Sequence, residues 1–425
     1  MTVRWVLLVA FAVVDAALGA DWSHWRGPNR DGTTPESSRW EEGAWPPGEP
    51  AWTASVGAGG SSPLVVGGRI FTLGWRDDAD HLECRDAATG DLQWAQSYPA
   101  PKWGRHHAGD ENQYHGPSST PEFDAETGYL YTLSIDGDLN CWDTAREGER
   151  VWGMNLYDEF GAGRRPDVGG GVRDYGYTTS PLALGQWLIV EVGAPAGNLM
   201  AFDKRTGRRL WASGCADPAG HTGGPAPMTV EGIPCVAILT LHRLLVVRLD
   251  AGHEGETLAE YPWETQCANS IAGPAVYGDS VVLTSGYSQS RTVRVRVGSD
   301  GAELLWEARG RYSKVCTPVI HGERVYFAWQ RLHCLDWQSG RPLWEGGRFG
   351  DDASMILTAD ERLIVLGNRR LALCETAARS PDRYTELAAR EGVGSAQCWP
   401  HVVVADGRIL ARDRLGTLLC FELGR

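Results

Sequence analysis

The sequence predicts an all-β chain, an eight-bladed β-propeller whose last blade is completed by a strand from the N-terminal side. Three observations carry that expectation. A unit of four short strands recurs along the 425 residues, glycine and tryptophan are abundant at 53 and 19, and the two ends of the repeat are staggered.

The first unit shows the pattern. Ser61-Ser62-Pro63 leads into Leu64-Val65-Val66, Gly67-Gly68 turns the chain, and Arg69 to Leu73 returns it. A third run ends at Cys84-Arg85-Asp86, the turn Ala87-Ala88-Thr89-Gly90 follows, and Leu92-Gln93-Trp94 opens a fourth. Alternating or wholly apolar runs between Gly-rich turns read as strands buried on one or both faces. Related units start near Ser118, Thr178, Gly223, Ile271, Val315, Ala353 and Cys398. Their spacing of roughly 38 to 60 residues is in the range of four-stranded blades. Seven of the eight carry an early proline, at positions 63, 121, 181, 225, 274, 318 and 400. Proline fits there because the innermost strand of a blade is an edge strand.

Tryptophan occupies a repeated slot on the fourth strand. Asp86 precedes Trp94, Asp203 precedes Trp211 and Asp336 precedes Trp344 by the same interval, and Asp143 precedes Trp152 by one residue more. Trp306 fills the slot without the acid, while the fourth unit has Leu258-Ala259 and the seventh Tyr384. A ring at a fixed structural position points to packing between blades.

The last unit stops after its third strand, at Leu419-Cys420-Phe421-Glu422, and Pro50 to Val56, with Trp52, stands before the first unit as an orphan fourth strand. Joining the two closes the ring and removes both open edges. The expected organisation is a signal peptide over 1–20, an N-terminal extension over 21–44 and the propeller over 45–425.

The signal reading rests on Arg4, the apolar run Trp5 to Val14, and the small residues Ala17-Leu18-Gly19-Ala20, which offer cleavage after Gly19 or Ala20. It implies a soluble periplasmic or secreted protein. The apolar run is too short to span a bilayer as a helix. A net charge of −14 and the lack of basic clusters exclude an electrostatic nucleic-acid binder. Lysine occurs only at positions 102, 204 and 314.

Ten cysteines in an exported chain invite disulfides. Cys84, Cys141, Cys334, Cys374 and Cys420 instead recur in equivalent strand settings, so they read as buried packing residues. One bridge among Cys215, Cys235, Cys267, Cys316 and Cys398 stays open. No zinc-ligand spacing occurs.

The run Asp203-Lys204-Arg205-Thr206-Gly207-Arg208-Arg209-Leu210-Trp211, with its counterparts at Asp86 to Trp94 and Asp336 to Trp344, resembles the pyrroloquinoline quinone (PQQ) repeat. The resemblance covers roughly residues 45 to 425 and implies an eight-bladed propeller held by a tryptophan-docking motif. Its docking residues here are Asp86, Trp94, Trp152, Asp203, Gly207, Trp211, Trp306, Asp336, Trp344 and Trp52. The family includes quinoprotein dehydrogenases, the outer-membrane assembly protein BamB and many exported PQQ-like propellers. Trp22-Ser23-His24-Trp25-Arg26-Gly27-Pro28-Asn29-Arg30-Asp31-Gly32 is similar to the opening of that last group. Its dehydrogenases imply PQQ and calcium as cofactors. Their adjacent cysteine pair is missing here, and their calcium ligands have no counterparts that can be assigned residue by residue, so no cofactor is assigned.

Two long links, about Tyr98 to Pro117 and Tyr157 to Tyr177, raise one sector around blades one to three. The first holds His106, His107, Asp110 and His115, a set suited to a metal or proton transfer. The second holds Arg164, Arg165, Asp174, Tyr175 and Tyr177, suited to carboxylate, phosphate or glycan contacts. No nucleophile elbow or metalloprotease motif occurs. The sequence therefore favours a non-catalytic propeller that binds a protein or cell-envelope ligand on its loop-rich face, with a PQQ- and calcium-dependent oxidoreductase as the alternative.

Overall fold

The computed structural model describes the whole chain except residues 1–18, 44, 46–47, 102–104, 107–115, 164–173, 221, 266–268, 288 and 425. At Arg105, His106 and Asp174 it describes the backbone alone.

Eight antiparallel sheets form a ring of blades. Each starts with a short inner strand and steps outward. Blade 1 comprises Leu64–Val66, Arg69–Arg76, Ala79–Asp86 and Leu92–Pro99. The inner strands of blades 2 to 5 are Glu122–Asp124, Leu182–Leu184, Ala226–Val230 and Ala275–Tyr277. Those of blades 6 to 8 are Val319–His321, Ser354–Leu357 and Val403–Ala405. In blade 6 the second and third strands run on as Arg324–Asp336, reversing near Gln330, which takes a φ of +58°. Phe327 and His333 then stack across the reversal, with ring centroids 5.0 Å apart.

The stagger of the ends closes the ring as expected. Trp52–Ser55 pairs with Thr417–Glu422, with Trp52 opposite Cys420 and Ser55 opposite Thr417. The last blade thus takes its outer strand from the beginning of the chain, and neither end leaves a free edge at the seam.

The core lies between blades. One apolar cluster joins Ile189 and Leu199 of blade 3 to Val236 and Val247 of blade 4. Another joins Val282 of blade 5 to Val325 and Phe327 of blade 6. Strands such as Ile233–Leu239 are therefore buried on both faces, which is why they read as unbroken apolar runs. The five repeated cysteines are buried in these layers. Burial pushes the Cys84 thiol up to about 11 and those of Cys334, Cys374 and Cys420 up to about 12. Cys215, Cys235, Cys316 and Cys398 are also free thiols, and Cys267 lies outside the described residues.

Outer-strand tryptophans reach the turn of the following blade. Trp52, Trp152 and Trp306 donate their indole N–H to the carbonyls of Ala87, Lys204 and Trp337, at 3.1, 3.3 and 2.8 Å. Each acceptor follows an aspartate, Asp86, Asp203 or Asp336, whose carboxylate caps its own turn by accepting backbone N–H groups. The rings lie over Gly90, Gly207 and Gly340, where a β-carbon would come within 2.5–2.8 Å of the indole. Trp94 lies over Gly148 in the same way. Trp211 and Trp344 keep the slot but leave the buried indole N–H without a partner.

The prolines sit immediately before the inner strands of blades 1 to 6, and in blades 1, 2, 3, 5 and 6 the residue preceding the proline joins a second set of contacts. The Ser62 N–H donates to Thr120 Oγ1 and the Thr120 N–H to Ser180 Oγ. The Gly273 N–H donates to Thr317 Oγ1, and the His401 N–H to Ser62 Oγ across the seam. Side-chain hydroxyls thus tie inner strand to inner strand where ladder bonds cannot reach.

Candidate binding face and channel

The N-terminal segment decides which end of the channel is open. Residues 19–39 cross the end that carries the turns between first and second strands. Trp22 exchanges backbone hydrogen bonds with Val65 of blade 1, and the Ser23 carbonyl accepts from Phe123 of blade 2. Glu122 of blade 2 is buried and pairs with His24, at 3.0 Å, and with Arg30. The Arg26 guanidinium donates to the Pro318 carbonyl of blade 6 at 2.5 Å. Thr34 and Leu357 of blade 7 bond backbone to backbone, and Thr34 Oγ1 donates to Val404 of blade 8. Blades 4 and 5 meet the ring of Trp25, against Gly223 and Gly273. The segment so touches blades on every side and plugs the channel. Desolvation lowers the Arg26 guanidinium to about 10, which still leaves it charged at neutral pH.

Above the plug the channel is a blind cavity of about 520 Å³ with Trp25 at its base. Its wall consists of the links that enter each inner strand, from Gly59-Gly60 in blade 1 round to Gln397 and Trp399 in blade 8. Tyr287, Trp329 and Arg414, from turns between second and third strands, complete the rim. The Lys314 ammonium sits 5.0 Å from the Tyr287 ring and 4.8 Å from that of Trp329, and makes no ion pair among the described residues. Arg414 lies over Trp399 at 5.7 Å and donates to Gln397 Oε1 at 2.6 Å. His401 is lowered to about 4 by desolvation, with the charge of Arg26 adding to the effect, so it is neutral at physiological pH. Its Nδ1 faces the Val402 carbonyl at 2.7 Å, so Nδ1 carries the proton and Nε2 is an acceptor.

Three buried oxygens of this wall have no hydrogen-bond partner: Thr178 Oγ1, Thr222 Oγ1 and Asn269 Oδ1.

The two long links meet at this face. Arg105–His106 pairs antiparallel with Asp174–Tyr175, His106 opposite Asp174 and Arg105 opposite Tyr175. Tyr175 lines the channel. Tyr177 is buried in blade 3, where its hydroxyl donates to the Val192 carbonyl at 2.8 Å and its ring packs 4.9 Å from Tyr157. His107, Asp110, His115, Arg164 and Arg165 lie outside the described residues, as do the side chains of His106 and Asp174. The sequence reading passed over Lys314, Trp329 and Trp25 as site residues. The signal available was a lysine in a chain that otherwise uses arginine.

Calcium takes six to eight oxygen ligands with carboxylates among them. The described wall supplies one carboxylate, the exposed Asp351, and no three His, Cys, Asp or Glu gather around a point among the described residues. These residues do not fit a calcium-held quinone.

The fold and channel define a class: an eight-bladed β-propeller of PQQ-type repeats, plugged at one end and, among the described residues, open at the other. Residues 79–346 match the family described as outer membrane protein assembly factor BamB, and the chain belongs to that family. No curated protein sequence matches it. Among solved structures it is similar to BamB from Moraxella catarrhalis, at 10% identity and a TM-score of 0.59 over 88% of this chain and 99% of that one. It is also similar to the quinohemoprotein alcohol dehydrogenase of Comamonas testosteroni, at 12% identity and a TM-score of 0.59 over 95% of this chain and 80% of that one. The computationally designed Ika8 protein matches at 11% identity and a TM-score of 0.56 over 88% of this chain and all of that one. At such identities the likeness is one of fold.

Proposed function

We propose that the chain is an exported, non-catalytic propeller that binds a protein or other cell-envelope ligand on the open face. The observation that carries this reading is the ladder between Arg105–His106 and Asp174–Tyr175, which joins the two long insertions at the end of the channel that the N-terminal segment leaves unplugged. A scaffold propeller presents loops from a rigid ring. Membership of the BamB family supports a protein partner in the envelope. No described helix is long and apolar enough to cross a membrane.

Photo-crosslinking in cells tests the reading. Photoreactive residues within 101–116 and 161–174 are expected to capture a defined partner, while the same residue at Leu304, on an outer strand, captures none. Equal labelling from both surfaces would defeat it. So would alcohol oxidation by the purified protein after reconstitution with PQQ and calcium.

A further inference from the structure

The open end of the ring carries its charge unevenly. In an antiparallel four-stranded blade, the turn between second and third strands and the link into the next inner strand lie at the same end. Arg311 and Lys314 follow the outer strand of blade 5, Gly301–Arg309. Arg331 turns blade 6 near Gln330, and Arg348 sits at the open-end tip of its outer strand, Pro342–Gly350. Arg369 turns blade 7 between Arg362–Gly367 and Arg370–Glu375. Arg414 turns blade 8 between Arg408–Arg412 and Thr417–Glu422. These six cations arc round the mouth of the channel, in a chain whose net charge is −14.

The carboxylates within the same turns and links are Asp351, Asp352 and Asp413. Asp352 is buried and accepts from the Asn368 and Cys398 backbone N–H groups. Asp413 is buried and accepts from those of Ser395 and Thr417. Asp351 is the exposed one. Glu345, on the outer strand of blade 6, is shared between Arg311 and Arg331, at 3.7 and 3.5 Å. Lys314 rests against the Tyr287 and Trp329 rings, and Arg369 donates to the Gly394 carbonyl at 2.9 Å. Neither of these, nor the exposed Arg348, makes an ion pair among the described residues. Beside Arg414, Leu415 stands 52% exposed.

We propose that this arc docks an acidic polypeptide segment of the protein partner, with carboxylates on Lys314, Arg348, Arg369 and Arg414 and an apolar side chain against Leu415. Arginine forks take carboxylates through paired bonds, and an arc richer in cations than in exposed carboxylates speeds the encounter with an anion and rejects basic partners. Leu415 favours a peptide over other polyanions, because a polyuronate or a phosphate-rich surface has no aliphatic side chain to bury against it. The proposal rests on the open face binding a protein and names the chemistry of the segment it takes.

Fluorescence anisotropy on the full propeller tests it, with labelled peptides that alternate Glu, Leu and Gly or Gln, Leu and Gly. The Glu peptide is expected to bind, and the Gln peptide at least about tenfold more weakly. Raising the salt from about 0.05 to about 0.5 M is expected to release the Glu peptide. Arg348→Glu with Arg369→Glu is expected to weaken it at least about tenfold at unchanged melting temperature. Arg146→Glu with Arg205→Glu, exposed at the plugged end, changes the net charge equally and is expected to leave binding as it was. No binding of the Glu peptide, equal binding of the two peptides, or equal loss in the two double variants would overturn the proposal. So would tighter binding of phosphatidylglycerol vesicles or polygalacturonate than of the Glu peptide. Crosslinks to a partner from residues 101–116 that persist in any of these cases would leave the protein-binding reading standing, so the two fail separately.

Discussion

Trp25 and Gly223 fit together with no room to spare: a β-carbon on Gly223 would stand 2.1 Å from Cζ2 of the indole. Gly273 on the next blade is nearly as close, at 2.9 Å from Cη2. The inner wall of blades 4 and 5 is glycine there so that the ring can seal the channel. Gly223→Ala is expected to destabilise by about 1–3 kcal/mol through overpacking. Adding Trp25→Ala removes the atom that is struck, so the double variant should lose less stability than the two single losses summed. Additive losses in denaturant titrations would show that the two residues do not meet.

The indole slots differ in what the N–H finds, and that difference can be measured. Trp306→Phe removes a bond of 2.8 Å to the Trp337 carbonyl and should cost about 1 kcal/mol. Trp211→Phe removes an N–H that is buried without a partner and should be neutral or stabilising. At the seam, Gly90→Ala forces a β-carbon to within 2.7 Å of the Trp52 ring at a φ of +77°, and is expected to lower the melting temperature by several degrees. Equal effects of the two Trp→Phe changes would contradict these assignments.

The blades were legible because their signals are local. Runs such as Leu363–Leu366, turns such as Gly67-Gly68 and the interval from Asp203 to Trp211 each lie within one unit. What escaped notice is relational. The Ser/Thr–Pro pairs are visible in the sequence, but nothing there says that Ser62 N–H meets Thr120 Oγ1 on the next blade. The opening Trp22–Gly32 carried a resemblance but no destination, since Arg26 reaches the Pro318 carbonyl 292 residues away. Among the expected site residues, Tyr175 reaches the channel and Tyr177 turns into blade 3, because Gly176 between them takes a φ of +71° and breaks the alternation that would put both rings on one face.

Asp80 gives the ring a pH dependence. Its carboxyl is buried between blades 1 and 2, and burial, reinforced by Asp136 and Asp138 and only partly offset by the neighbouring Ser134 and Tyr98 hydroxyls, raises it to about 7. A carboxyl raised on folding stays protonated while the unfolded chain ionises. Its stabilising contribution is therefore complete below about pH 4 and lost as pH rises to about 7. Asp80→Asn should stabilise the protein at pH 8 by up to a few kcal/mol, with the advantage vanishing near pH 4. A difference in melting temperature that stays constant between those values would refute this assignment.

Glu36 ties the start of the chain to the ring. Its largely buried carboxylate accepts from the Ala20 backbone nitrogen at 2.8 Å and from the Gly407 N–H in blade 8 at 2.9 Å. The proposed signal peptide offers cleavage after Gly19 or after Ala20, and the two sites differ in what they leave beside Glu36. Cleavage after Gly19 would turn the Ala20 nitrogen into an α-ammonium already within ion-pairing distance of Glu36, whereas cleavage after Ala20 would discard that donor. A charge-assisted bond of this kind contributes about 2 kcal/mol. Under the proposed export, the processed chain is accordingly expected to begin at Ala20 by intact mass, and Glu36→Gln to lower the melting temperature of that processed form. A mature terminus at Asp21, or a Glu36→Gln variant as stable as the parent, would remove Glu36 as the anchor of the plug.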